Sequence, residues 1–263
     1  TADIRNLVFI GGPGSGKTSL CEAILHAAGA VKRLGSTADG TTVSDWAEDE
    51  QEKQHSIRLS LMHADHKGAH YNLLDAPGYP DFIGETATGL AAAETAVLCV
   101  SATQGITFPA LKIWNAAGAA RRARCVVLTH VDQDDTDFGE RVEQIGEALG
   151  ARCLPIVLVD GKGADFKSAT RVPLGEKAEG DAVALRDALI EASVEIDEEA
   201  MTRFLEDDAP PAEDEARSLL KRSMIAGDLV PVFAVASTDG RGAEAFLDVA
   251  KACFPSPADG PFS

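Results

Sequence analysis

From Gly11 to Thr18 the chain reads Gly-Gly-Pro-Gly-Ser-Gly-Lys-Thr. This spacing of glycines, lysine and hydroxyl residue suits the gripping of phosphate groups. Glycines let successive backbone N–H groups curl around an anion. Lys17 adds a cation for the β- and γ-phosphates of a nucleotide, and the Thr18 hydroxyl is suited to ligate Mg²⁺. Further on, Asp75-Ala76-Pro77-Gly78 follows an apolar run. An aspartate at a strand end holds Mg²⁺ directly or through water. Gly78 is free to present its amide to a γ-phosphate. Alone, Asp-x-Pro-Gly is a common turn. Together with the phosphate loop it defines a P-loop NTPase with a γ-phosphate sensor. His63, His66 and His70 straddle Gly68 with no cysteine near, so they read as a surface turn rather than a metal site.

A phosphate loop works only when a strand delivers it and a helix leaves it. Leu7-Val8-Phe9-Ile10 is the apolar run of a buried parallel strand. From Thr18 the pattern turns helical, with Leu20, Ala23, Ile24 and Ala27 on one face and a stop at Gly29. Residues 31–56 are polar, without period, and read as a long functional loop. Ile57–Met62 and Tyr71–Leu74 read as an antiparallel pair. Val97–Val100, Val126–Leu128, Pro155–Val159 and Val232–Val235 are further short strands. Phe138, Val142, Ile145 and Leu149 mark a helix between them. The alternation predicts an α/β fold with a mainly parallel, twisted sheet flanked by helices. Residues 160–230 break the rhythm. They carry few strand signals, many acids and two predicted helices, 181–206 and 212–226, split by Pro210-Pro211. The expected division is a nucleotide-binding domain over 1–159 and 231–254, an inserted subdomain over 160–230, and a linker beginning at 255–263.

Lys and Arg total 24 against 42 Asp and Glu, a net charge of -18. Phosphate backbones require cations, so a general nucleic-acid binder, DNA included, is excluded as the expectation. An acidic surface suits a basic protein partner. The five cysteines sit in apolar runs without C-x-x-C spacing, which predicts buried reduced thiols and a cytoplasmic location. No run is long enough for a membrane span. Trp114 shares a helical face with Leu111 and Ala117, which predicts core packing.

The motif order resembles the translational GTPases, and the elongation factor G group most of all. After the phosphate loop comes Asp39-Gly40-Thr41-Thr42-Val43-Ser44-Asp45-Trp46, which looks like the family's first switch region. Asp75-Ala76-Pro77-Gly78, Thr129-His130-Val131-Asp132 and Phe254-Pro255-Ser256-Pro257 follow in order. The insertion at 160–230 matches the extra G′-type subdomain of that family. The resemblance covers nearly all of the chain, yet only the first domain of a longer protein. It implies GTP or GDP as ligand, with Gly11, Gly14, Ser15, Gly16, Lys17, Thr18 and Ser19 around the phosphates. Thr18, Ser56 and Asp75 are implied for Mg²⁺. Thr129, His130 and Asp132, with Ala236-Ser237, are implied for the base. Lys17, Gly78 and Tyr79 are implied for hydrolysis. The implied partner is the ribosome, engaged by a monomer, with a basic stalk protein at the acidic insert.

The chain departs from the family's pattern in places. Ser56 stands where a threonine usually closes the first switch, and it keeps the hydroxyl. Tyr79 stands where a histidine usually positions the attacking water; a phenol is a poor base at neutral pH, which implies slow hydrolysis. Thr129-His130 replaces Asn-Lys, while Asp132 keeps the carboxylate that accepts from guanine N1 and N2. These changes resemble the diverged elongation factor G-like paralogues of bacteria. Two alternatives stay open: a GTP/GDP-binding module with little turnover, and an ATP-using P-loop enzyme.

Overall fold

The computed structural model describes residues 1–44, 47–53, 55–175, 178–207 and 211–259. Asp45 and Trp46 of the expected first switch, Gln54 and Pro210 lie outside the described residues. In chain order the elements begin β1 (Ile4–Ile10), α1 (Lys17–Ala27), α2 (Glu48–Lys53), β2 (Ser60–His66), β3 (Ala69–Asp75), α3 (Ile83–Ala92) and β4 (Thr95–Ser101). Next come α4 (Phe108–Ala119), β5 (Ala123–Thr129), α5 (Phe138–Leu149), β6 (Cys153–Pro155), β7 (Val157–Asp160) and β8 (Ser168–Arg171). Last are α6 (Asp181–Val194), α7 (Glu198–Asp207), α8 (Glu213–Ala226), β9 (Val230–Val235) and α9 (Ala243–Cys253).

Among the described residues, seven strands form one sheet in the order β2-β3-β1-β4-β5-β9-β6. β2 is antiparallel to β3, and the other pairs are parallel. Parallel strands covered on both faces need side chains that are apolar all along. Both β4 and β9 are buried at every position; β9 is apolar throughout, and β4 is apolar between Thr95 and Ser101. β2 alternates buried and exposed residues, as an edge strand does. Its hairpin to β3 turns on Lys67 and Gly68, both at positive φ (49° and 85°). That is the geometry of a tight turn matched to strand twist. The mixed, mostly parallel α/β sheet therefore stands as expected.

Parallel strands end on one edge, and loops there converge. Register pairs Phe9 with Asp75, and Thr129 with both Ser101 and Val235. The phosphate loop, Asp75, Thr129 and Ala236 thus all emerge at the same rim.

One main core holds most of the buried side chains among the described residues. Phe233, Phe246 and Phe254 pack edge-on with centroids 5.0–6.0 Å apart, and Phe9 lies 6.4 Å from Phe246. Phe246→Ala is expected to cost about 3–5 kcal/mol, because the rigid sheet beneath cannot collapse into the void. A urea titration checks this, and an unchanged midpoint would contradict it. Trp114 is core as expected, with the Arg124 guanidinium 4.2 Å from its ring centre. Burial pushes the Cys153 thiol up to about 11 and that of Cys253 to about 12, so both stay protonated at neutral pH.

Residues 160–230 share the main core through Phe166, Val172, Leu189, Leu220 and Met224. A small satellite of Ile190, Val194, Ala200 and Leu219 lies under α6–α8. Three local expectations change. The strand expected over 155–159 divides, since Cys153–Pro155 pairs with β9 while Val157–Asp160 turns away to pair with β8. The helix expected over 181–206 is two, because Asp197 caps the second by accepting from the Ala200 amide at 3.0 Å. The loop expected over 31–56 contains α2, whose first turn carries Glu48, Asp49 and Glu50, favourable against the helix dipole. Beyond α9, Pro255 and Ser256 are buried, and Asp259 pairs with Lys221 at 2.6 Å.

Candidate functional site

β1 ends at Ile10, and α1 starts at Lys17 with no acidic residue in its first turn. The helix N-terminus therefore keeps its partial positive charge facing the loop. Gly16 caps it at φ 78°, where a Cβ would fall 3.0 Å from Thr129 Oγ1. Lys17 is 7% exposed, and its ammonium donates to the carbonyls of Gly12 (2.9 Å) and Gly11 (3.2 Å). The amine is thereby folded back over the loop. Ser15 Oγ is buried in the same cradle and has no hydrogen-bond partner among the described residues.

Three oxygens meet beside it. Thr18 Oγ1 donates to Asp75 Oδ2 at 2.7 Å and lies 3.2 Å from Ser56 Oγ. Asp75 is fully buried at the end of β3. Two hydroxyls and one carboxylate are hard oxygen donors of the kind Mg²⁺ takes together with phosphate oxygens. Residues 38 and 57 positions from Thr18 in sequence are thus brought to one point.

The next wall is the loop after β3. A Cβ on Gly78 would lie 2.5 Å from Lys17 Nζ and 2.9 Å from the Gly12 carbonyl, so only glycine lets this loop approach so closely. Tyr79 is 41% exposed, and its ring centre is 4.5 Å from that of His55. Both rings line a cleft of about 370 Å³ with Lys17, Thr18, Ser56 and Gly78. Pro13, Gly14, Gly16, Ser19, Thr37 and His130 complete that lining.

The far end holds the residues expected for the base. Thr129 Oγ1 donates to the Ser15 carbonyl at 2.9 Å, which ties this loop to the phosphate loop. His130 sits at φ 55° with Nδ1 3.0 Å from Thr129 Oγ1. Burial lowers its pKa, partly opposed by Asp132, so the ring is neutral at pH 7 and offers a flat face rather than a charge. Asp132 Oδ2 accepts from Thr238 Oγ1 at 3.2 Å, with an Arg241 nitrogen 3.8 Å away. Among the described residues its buried Oδ1 has no hydrogen-bond partner. The Ala236 amide donates to the Arg241 carbonyl at 2.9 Å, so the Ser237 amide is the one of that pair left to meet a ligand.

Sequence reasoning assigned no role to His55, Thr37, Thr238, Arg241 or Glu22. Glu22 is buried on α1 and accepts from the amides of Val43 (2.6 Å) and Gly35 (3.1 Å), fixing the loop that leads to Ser56. His55 had a visible signal, since it adjoins Ser56. The other contacts join residues far apart and leave no local pattern. Of the three histidines of the β2–β3 hairpin, His66 offers a ligand atom within 4.8 Å of carboxylate oxygens of Glu244 and Asp248, a group that could hold a metal ion. His66 and Lys67 pair with Asp248 at 2.8 Å, and His70 with Asp65 at 2.8 Å.

A family model, the elongation factor Tu GTP binding domain, matches residues 2–256. An elongation factor G-like protein of Mycobacterium tuberculosis is 35% identical over 276 aligned residues, covering 98% of this chain and 38% of that protein. Elongation factor G 2 of Geobacter metallireducens is 31% identical over 278, covering 98% of this chain and 40% of that protein. A crystal structure of a Thermus thermophilus protein superimposes with a TM-score of 0.89 at 29% identity, over 98% of this chain and 41% of that one. The chain spans about two fifths of the length of these relatives.

Proposed function

This chain belongs to the elongation factor Tu GTP-binding domain family, in its elongation factor G-like branch, and from that premise we propose that it works as a Mg-GTP-dependent switch acting on the ribosome. The observation that carries this reading is the meeting of Thr18, Ser56 and Asp75 oxygens beside Lys17. Ser56 belongs to the loop after α2, tied back by Glu50, and Gly78 to the loop pressed on Lys17. A γ-phosphate ties the two loops to the rigid sheet rim, and its loss releases them. Mg²⁺ would be held by Thr18, Ser56 and Asp75, and when bound supplies positive charge against the phosphate oxygens. The phosphates would lie against the amides of Gly11, Gly14, Ser15, Gly16, Lys17, Thr18 and Ser19, with Lys17 as their cation. Asp132 takes the guanine N1 and N2 donors, Ser237 offers its amide to the base oxygen, and His130 stacks.

The wider reading extends the family premise. The chain acts in the cytoplasm as part of a longer, monomeric protein. Among the described residues no helix is long and apolar enough to cross a membrane. The acidic first turns of α7 (Glu198, Glu199) and α8 (Glu213 to Glu215) are the proposed meeting point for a basic stalk protein of the ribosome.

Release of inorganic phosphate from Mg-GTP by the purified chain tests the hydrolysis. Phosphate above a protein-free control supports it. Its absence while GTP still binds leaves the second reading, a guanine-nucleotide module with little turnover, which Tyr79 favours. The metal site has its own test. Thr18→Val keeps the shape but removes the hydroxyl. EDTA is expected to weaken GTP binding to the native chain by about tenfold or more, as a lost charge-assisted contact would, while the variant binds weakly with or without the metal. A variant as metal-responsive as the native chain would remove Thr18 from the site.

A further inference from the structure

We infer that His55 is the positioning residue for the water that attacks the γ-phosphate, an inference that rests on the GTPase reading above. Hydrolysis of this kind needs a side chain that holds water in line with the bond to be broken. At the cleft wall between Ser56 and Gly78, two rings stand together, those of His55 and Tyr79, with centres 4.5 Å apart and planes inclined by 43°. Tyr79 is the expected residue by its place in the Asp-x-Pro-Gly loop, yet its ring carries no nitrogen. His55 brings a ring nitrogen to the same wall.

Its surroundings hold that ring in place. The His55 amide donates to the Glu50 carbonyl at 3.3 Å, which anchors the residue to the end of α2. Phe82 also lies near the ring, with centres 6.3 Å apart. Nδ1 lies 3.4 Å from the Ser56 carbonyl. The tautomer that donates there leaves Nε2 as an acceptor for water. Ser56 Oγ is 3.2 Å from Thr18 Oγ1, so the ring follows the same residue that closes the phosphate site. The ring is therefore assembled only when the Ser56 loop is seated.

In the step itself, the water oxygen forms a bond to the γ-phosphorus as the bond from that phosphorus to the β–γ bridging oxygen breaks. The bridging oxygen keeps the electron pair and leaves with GDP. The water protons end on the inorganic phosphate and in solvent. His55 accepts a hydrogen bond from that water, fixes its direction and forms no covalent bond.

The test compares two substitutions in the purified chain loaded with Mg-GTP. His55→Phe keeps a ring against Tyr79 and removes both nitrogens, while His55→Gln returns an acceptor. Single-turnover phosphate release is expected to fall about a hundredfold in His55→Phe, the usual scale for losing such a group. His55→Gln is expected to recover about tenfold of that loss. Affinities for GDP and GTP, measured with a fluorescent guanine nucleotide, are expected to stay at the native values in both. Native release from His55→Phe overturns the inference. So does a fall in rate matched by a fall in GDP affinity, or a glutamine variant no better than phenylalanine. A native chain that binds GTP without releasing phosphate also overturns it. A native chain that binds no guanine nucleotide instead sinks the GTPase reading on which it rests.

Discussion

Replacing Lys17 with alanine is expected to weaken GTP binding by about a hundredfold or more, since two charge-assisted contacts to phosphate disappear at about 1.5–3 kcal/mol each. The side chain is buried beneath the Gly78 loop, with its ammonium 2.9 Å from the Gly12 carbonyl. Among the described residues that line the cleft, no other lysine or arginine is present. In the first turn of α1 the remaining attraction comes from amides and the helix dipole, worth far less than a full charge at this range. The same change takes the ammonium away from the carbonyls of Gly11 and Gly12, of which Gly12 still accepts from the Ser15 amide at 3.3 Å. Thermal unfolding of the variant therefore accompanies the measurement, to separate a collapsed loop from a lost contact. Calorimetry that finds the native affinity in a folded Lys17→Ala chain would refute the phosphate assignment.

The second large effect lies at the opposite end of the cleft. Asp132→Asn is expected to cost about a hundredfold or more in GTP affinity and to raise affinity for xanthosine triphosphate. Sites built to pair polar groups reject mismatched ligands on at least that scale. Guanine presents two donors, N1–H and the 2-amino group, and a carboxylate accepts both. Xanthine carries a carbonyl in place of the amino group. An amide can accept from N1–H and donate to that carbonyl. Thr238 Oγ1 can donate to the amide oxygen as it does to Oδ2, so the loop keeps its place. Competition between the two triphosphates for a fluorescent nucleotide reads the exchange. Unchanged preference for GTP would remove Asp132 from the base site.

Much of this site is legible in the residues alone. The glycines, Lys17 and Thr18 carry their chemistry in their spacing. The run Leu7–Ile10 is apolar because a parallel strand buried on both faces must be. Ser56 and Asp75 joined Thr18 because motif order placed them there, and the fold closes the distances to 3.2 and 2.7 Å. What stayed hidden depends on contacts with no local period. Helix α2 lies in an acidic stretch that offers one buried side chain, Glu50. Glu50 serves the Ile57 and Arg58 amides at 2.9 and 3.1 Å, so its burial is polar and leaves no apolar stripe. The break between α6 and α7 turns on a single aspartate. The split of β6 from β7 follows from the alternative partner that β8 provides. Thr129 reads as a loss beside the usual asparagine, yet its hydroxyl still reaches the Ser15 carbonyl across the cleft. The replacement of one motif residue thus says little until its partner is known.

The most direct test is calorimetric titration of the native chain with GTP, GDP and ATP, each with Mg²⁺ present. Both guanine nucleotides are expected to bind one per chain, with ATP weaker by about a hundredfold or more because adenine lacks the donor pair that Asp132 accepts. Equal affinity for ATP, or no heat from any of the three, would contradict the account.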